Sequence, residues 1–285
     1  MMGRWSWTMK RRLIQWIAFG LTNAQVGNLA TGKLYRGSWK QFCSPGLNCY
    51  SCPAAVTACP IGAMQAVAGS LQFGFSFYVM GVLLLLGLAL GRAVCAFLCP
   101  FGLLQDLLHK VPLPKRSLPW RPLVYLKYVF LVVSVLLLPA VATDYMGMGA
   151  PAYCEYICPV GTLEGGIPLL LLHPGLRQAM GVLFAWKFGI LLLTLLGCMV
   201  ISRFFCKVLC PLGAVYGLMN RLSVYHLEVE KSRCVSCGRC QKVCPMETDP
   251  VRFPGSAECI RCGTCAEWCP RGAIRLTWGK SERKC

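Results

Sequence analysis

The chain has 285 residues, 20 of them cysteine, and a formal net charge of +18. Hydrophobic residues make up 56% and charged residues only 14%, against roughly 25% charged in ordinary soluble domains. With a mean hydropathy of +0.54, this argues against a soluble enzyme, and the long apolar runs exclude a small secreted disulfide scaffold.

Four runs approach the ~20 apolar residues that a membrane-spanning helix needs. The first, 13–30, carries Thr22, Asn23, Gln25 and Asn28. Such groups are costly against lipid. They either hydrogen-bond between helices or hold a quinone head group. The others are 72–91, 123–142 and 184–202, with Lys127 and Lys187 expected to snorkel from helix ends. The run 167–172 is too short to span and reads as interfacial. No cleavage site follows 13–30, so no signal peptide is expected.

Basic residues set the orientation. Arg4, Lys10, Arg11 and Arg12 precede the first run, and Arg92, Lys110, Lys115, Arg116 and Arg121 lie between the second and third. Fourteen more follow the fourth. The loop 143–183 has only Arg177, against Asp144, Glu155 and Glu164. Both termini are therefore expected in the cytoplasm, with loops 31–71 and 143–183 outside. The positive-inside rule accounts for the charge, and no nucleic-acid partner is implied.

Cys-Pro-x-Gly occurs four times, from Cys59, Cys99, Cys158 and Cys210, on alternating sides of the spans. A second cysteine precedes three of them by four residues: Cys95, Cys154 and Cys206. Around the inner pair, Gly91-Arg92-Ala93-Val94-Cys95 matches Ser202-Arg203-Phe204-Phe205-Cys206. A duplicated two-helix unit with a parallel pseudo-two-fold explains the pattern. It brings Cys95, Cys99, Cys206 and Cys210 together, enough thiolates for one cluster. Proline after each cysteine suits a sharp turn. Cys198 reads as an apolar core residue, and Cys285 as a frayed tail.

From about residue 226 the charge rises and two runs appear, Cys234-x2-Cys237-x2-Cys240-x3-Cys244-Pro and Cys259-x2-Cys262-x2-Cys265-x3-Cys269-Pro. This is the bacterial two-cluster ferredoxin spacing, in which the fourth cysteine of each run ligates the other cluster. One [4Fe-4S] set is then Cys234, Cys237, Cys240 and Cys269, and the other Cys259, Cys262, Cys265 and Cys244. Zinc is the alternative, but structural zinc favours paired cysteines.

The expected fold is an all-α transmembrane bundle, 1–225, with four spans and a duplicated two-helix unit, plus a small α+β ferredoxin-like domain, 226–285. These motifs resemble the NapH/NosR-type polytopic iron–sulfur proteins over roughly 72–275. The resemblance implies several spans, two inner Cys-x3-Cys-Pro motifs and a cytoplasmic ferredoxin domain. It implies electron transfer between the membrane quinone pool and redox protein partners.

Six cysteines fall in the outer loops. By the repeat, Cys52, Cys59, Cys154 and Cys158 would hold a fourth cluster. Cys43 and Cys49 are then spare, paired as a disulfide, or Cys49 replaces Cys52. A set of three structural disulfides is the other reading. The histidines, His109, His173 and His226, lie outside the expected spans, against haem in the bilayer. The chain reads as an electron-transfer subunit in a prokaryotic inner membrane, a quinol dehydrogenase component without an evident substrate site. The alternative is an assembly or redox-regulatory factor for another metalloenzyme.

Overall fold

The computed structural model describes residues 7–70, 76–143, 148–178 and 180–279. Arg4, Gln72, Asp144 and Cys285 lie outside them. Helices dominate, with one small sheet.

Helix α1 (Trp7–Thr22) ends where the expected first span turns polar. The Thr22 hydroxyl donates back to the Ala18 carbonyl at 2.8 Å, and the Asn23 amide donates to that of Phe19 at 3.2 Å. These side chains bond the last carbonyls of their own helix, so the helix of the expected 13–30 span stops at Thr22. The chain then enters the long loop that carries Cys43 to Cys59.

Each Cys-Pro-x-Gly starts a helix. In all four the cysteine is the N-cap in extended conformation and proline takes the first helical position, where its missing N–H is no loss. These helices are α2 (Pro60–Gly69), α5 (Pro100–Leu108), α7 (Pro159–Leu172) and α10 (Pro211–Met219). Between them lie α3 (Phe77–Leu90), α4 (Ala93–Phe97), α6 (Arg121–Val141), α8 (Val182–Val200) and α9 (Phe204–Val208).

Among the described residues two helices, α6 and α8, are long and apolar enough to cross a membrane. Helix α3 has 14 residues, about 21 Å at 1.5 Å per residue, short of a ~30 Å core. Helix α8 buries Leu191, Thr194 and Cys198 and exposes Leu192, Leu193 and Leu196. An apolar exposed face of this kind suits a lipid surround. Lys127 does not snorkel. It is fully buried, its Nζ 2.6 Å from Glu258 Oε1. A buried cation needs such a partner.

In the tail, β1 (Tyr225–Val229) pairs antiparallel with β2 (Ile274–Trp278), Tyr225 opposite Trp278 and Val229 opposite Ile274. The strands bracket both cysteine runs. The tail is docked through polar contacts. Trp7 Nε1 donates to the Cys262 carbonyl at 2.9 Å, and Asn220 Nδ2 to that of Cys259 at 2.9 Å. One continuous core runs from Cys59 and Cys158 through Cys95 and Cys210 to Ile260 and Cys262.

Candidate metal centres

In the tail, Cys234, Cys237, Cys240 and Cys269 line a cavity of about 270 Å³. Cys259, Cys262, Cys265 and Cys244 line a second, smaller one. Each cavity takes three cysteines from one run and the fourth from the other. The second set is mostly buried against the helical part, whereas Cys237 is exposed.

Cys95, Cys99, Cys206 and Cys210 are all buried and near enough to interact electrostatically. Burial pushes the Cys95 thiol up to about 11, against the opposing pull of Arg92, and the Cys99 thiol up to about 12. Free thiols here stay protonated, and a bound metal is what would displace the protons. The repeat is visible in the two arginines. Arg92 Nη2 donates to the Cys206 carbonyl at 3.2 Å, and Arg203 Nη1 to the Cys95 carbonyl at 2.7 Å. Each half thus holds the leading cysteine of the other. Both arginines are fully buried. Arg92 pairs with Glu258 at 2.8 Å, and Arg203 grips Asp106 through two bonds of 2.7 and 2.8 Å. Burial alone would raise these two carboxyls, but the cations beside them hold both below the usual range.

On the expected outer side, a cavity of about 500 Å³ is lined by Cys49, Cys59, Cys154 and Cys158. Cys52 does not line it. It packs with Ala54 and Ala55, its Sγ 4.0 Å from Asn23 Oδ1. Among the described residues every cysteine is a free thiol. The half-buried Glu164 accepts the Cys49 N–H at 2.7 Å, and removal from water pushes its carboxyl up to about 7. Lys187, expected to snorkel, donates instead to the Cys154 carbonyl at 3.1 Å.

The two sets are neighbours. Residues 43–49 plunge between them. A Cβ on Gly46 would lie 2.6 Å from Cys99 Cα, so only glycine passes there. The Leu47 N–H bonds the Cys99 sulfur, and Cys49 follows two residues on, at most about 7 Å of chain. The fully buried Tyr153, beside Cys154, donates its hydroxyl to the Leu209 carbonyl, beside Cys210, at 3.0 Å.

Three side chains escaped sequence reasoning. Gln65, Gln105 and Glu164 each stand six residues after the cysteine of a Cys-Pro-x-Gly. Gln65 reaches Cys154 and Gln105 reaches Cys206. Extending the repeat by three positions finds them. Cys198 is also more than core filling, since its Sγ donates to Gln105 Oε1 at 3.6 Å.

Among the described residues no three histidines, cysteines or carboxylates close round a single ion. Each cysteine set offers four soft sulfur donors, the donor set of a [4Fe-4S] core. Comparison with known proteins agrees. A "4Fe-4S binding domain" model matches 72–120, 129–170 and 179–229, and a "4Fe-4S dicluster domain" model matches 226–270. The chain is 29% identical over 245 residues to the methylamine utilization ferredoxin-type protein MauN of Paracoccus denitrificans, covering 84% of this chain and 76% of that protein. It is 29% identical over 175 residues to an uncharacterized protein of Methanocaldococcus jannaschii, 58% of this chain and 63% of that one. The ferredoxin-type protein NapH of Haemophilus influenzae is 25% identical over 151 residues, 39% of this chain and 52% of NapH. The chain thus spans less than two thirds of the length of two of these three relatives. No solved structure matches.

Proposed function

The chain belongs to the NapH-like family of ferredoxin-type iron–sulfur proteins, and from that membership we propose that it carries electrons across the membrane on four [4Fe-4S] clusters. Each cluster, when bound, supplies a one-electron redox centre. The ligand sets are Cys49, Cys59, Cys154 and Cys158; then Cys95, Cys99, Cys206 and Cys210; then Cys259, Cys262, Cys265 and Cys244; and last Cys234, Cys237, Cys240 and Cys269. Cys49 takes the role for which Cys52 was first considered.

One observation carries the reading. The first three sets lie along one packed body, each tied to the next by named contacts, and the fourth shares the tail's small core with Cys265 of the third. Leu47 and Tyr153 join the first two sets. Arg92 joins the second to the third, bonding both the Cys206 carbonyl and Glu258, next to Cys259. The exposed Cys237 marks the end at which a soluble redox partner would dock. A carrier limited to the two faces of a ~30 Å core would need a mobile relay; in this reading the centres are set inward.

In this reading α6 and α8 cross the bilayer, and the shorter α1 and α3 make the two further crossings that leave both ends of the chain on one side. The basic flanks keep both termini and the ferredoxin domain, 226–285, in the cytoplasm. The donor on the other side is the quinone pool or an extracytoplasmic redox protein. Anaerobic purification with iron and sulfide analysis should return four clusters per chain. Two clusters, with the remaining thiols titratable or oxidised, would reduce the function to that of an anchored ferredoxin.

A further inference from the structure

Two buried amides recur in the same relation to the two membrane-side cysteine sets. Gln65 on α2 and Gln105 on α5 are both fully buried, six residues after the cysteine that opens each helix. Gln65 Nε2 lies 3.0 Å from Cys154 Sγ, and Gln105 Nε2 lies 3.1 Å from Cys206 Sγ. In each case a first-half helix reaches across to the leading cysteine of the second half. The orientation of each amide is fixed by its oxygen. Gln65 Oε1 accepts the Tyr153 N–H at 2.8 Å, and Gln105 Oε1 accepts the Cys206 N–H at 3.4 Å. A backbone N–H can only donate, so the oxygen must face it and the nitrogen must face sulfur. The second N–H of each amide returns to its own helix, to Ile61 and Phe101.

Resting on the cluster reading above, we infer that Gln65 and Gln105 are matched positioning residues that raise the reduction potentials of the outer and inner clusters. On reduction one electron arrives, no bond forms or breaks, and negative charge on the thiolate sulfurs increases. An N–H aimed at one of those sulfurs bonds the reduced form more strongly than the oxidised form. Such hydrogen bonds are a principal lever on iron–sulfur potentials. The effect is enlarged where burial excludes water. The other two repeats use the sixth position differently. Glu164 accepts the Cys49 N–H, and the Tyr216 hydroxyl donates to the Pro45 carbonyl at 2.9 Å. Each cluster site therefore receives one amide donor, from the first half only.

The test is an anaerobic EPR redox titration of the full chain with Gln65→Leu and Gln105→Leu, which keep apolar volume and remove the donor. Each variant should make reduction of one membrane cluster about tenfold less favourable, which for one electron is about 59 mV lower. The other membrane signal and both tail signals should stay in place. Gln105→Glu keeps an oxygen for the Cys206 N–H and, once its carboxyl ionises at alkaline pH, loses the donor, so there it should lower the same signal at least as far. A purely structural role predicts that Gln105→Glu rescues. Hyperfine spectroscopy of wild-type protein carrying side-chain ¹⁵N-glutamine gives a readout that does not depend on variant folding. A ¹⁵N coupling should appear in both membrane signals. Unmoved potentials with all clusters loaded, or no ¹⁵N coupling in the wild type, would overturn the inference alone. Absence of any membrane cluster signal in the wild type would overturn the cluster reading with it.

Discussion

Around Cys95, Cys99, Cys206 and Cys210 stand two fully buried arginines, each tied to a carboxylate and to the opposite half of the molecule. Around Cys49, Cys59, Cys154 and Cys158 stand one half-buried carboxyl, Glu164, and a lysine on a backbone carbonyl. The inner set is thereby a structural joint as well as a candidate redox site, since Arg92 also fastens the tail through Glu258. The outer set is held by a long loop and lines a cavity of about 500 Å³. One plan, repeated, has been put to two mechanical uses.

The sharpest way to break this comparison is to remove a candidate outer ligand. Cys49→Ser should abolish one cluster signal and its share of iron, while Cys52→Ser should leave four clusters. The reverse result would return Cys52 to the ligand set. Next in size is the inner joint. Arg203→Met removes the two-bond partner of Asp106 and leaves it Arg11 and Gln15, each at 3.4 Å, so the cost should fall at or below the lower end, about 3 kcal/mol, of what stranding a buried charge costs. Thermal unfolding in detergent should fall accordingly, whereas Lys187→Met on the outer side should stay within about 1 kcal/mol. A third difference concerns potentials. Cations near the inner thiolates favour the reduced form, so the inner cluster should titrate above the outer one, by on the order of 60 mV or a factor of ten. An outer potential equal or higher would sink that electrostatic contrast. The smallest effect belongs to Tyr153→Phe, which removes one hydroxyl bond worth about 1 kcal/mol. It should leave both signals in place and change the rate of electron exchange between them little.

Much of this was legible. Cysteine spacing exposed the tail pairs, and the matched Arg-x2-Cys segments exposed the repeat, because ligand chemistry forces residue type and spacing together. The end of the first span was misread because 13–30 is apolar on average, while hydrogen bonds from Thr22 and Asn23 stop the helix. Lys127 was misread because its partner, Glu258, is far away in sequence. Nothing in Cys43-Ser44-Pro45-Gly46-Leu47 announces a buried segment; it reads as a turn, and only packing against Cys99 reveals why glycine stands there. The two halves also differ in a way that composition hides. Gly91 takes a positive φ of 58° before Arg92, whereas in the second half Arg203 itself sits at 53°. A non-glycine residue held there costs of order 1 kcal/mol or more, offset by its grip on Asp106 and the Cys95 carbonyl.

The plunging loop has one more consequence, which concerns insulation. Leu47 and Tyr153, both essentially without solvent exposure, fill the space between the outer and inner sets. A packed interior leaves little room for water, and protons need water or titratable relays to move. Electrons tunnel through such a filling. On the proposed function, a chain wired in this way would pass current between the two sides while the proton gradient across the same membrane stays charged.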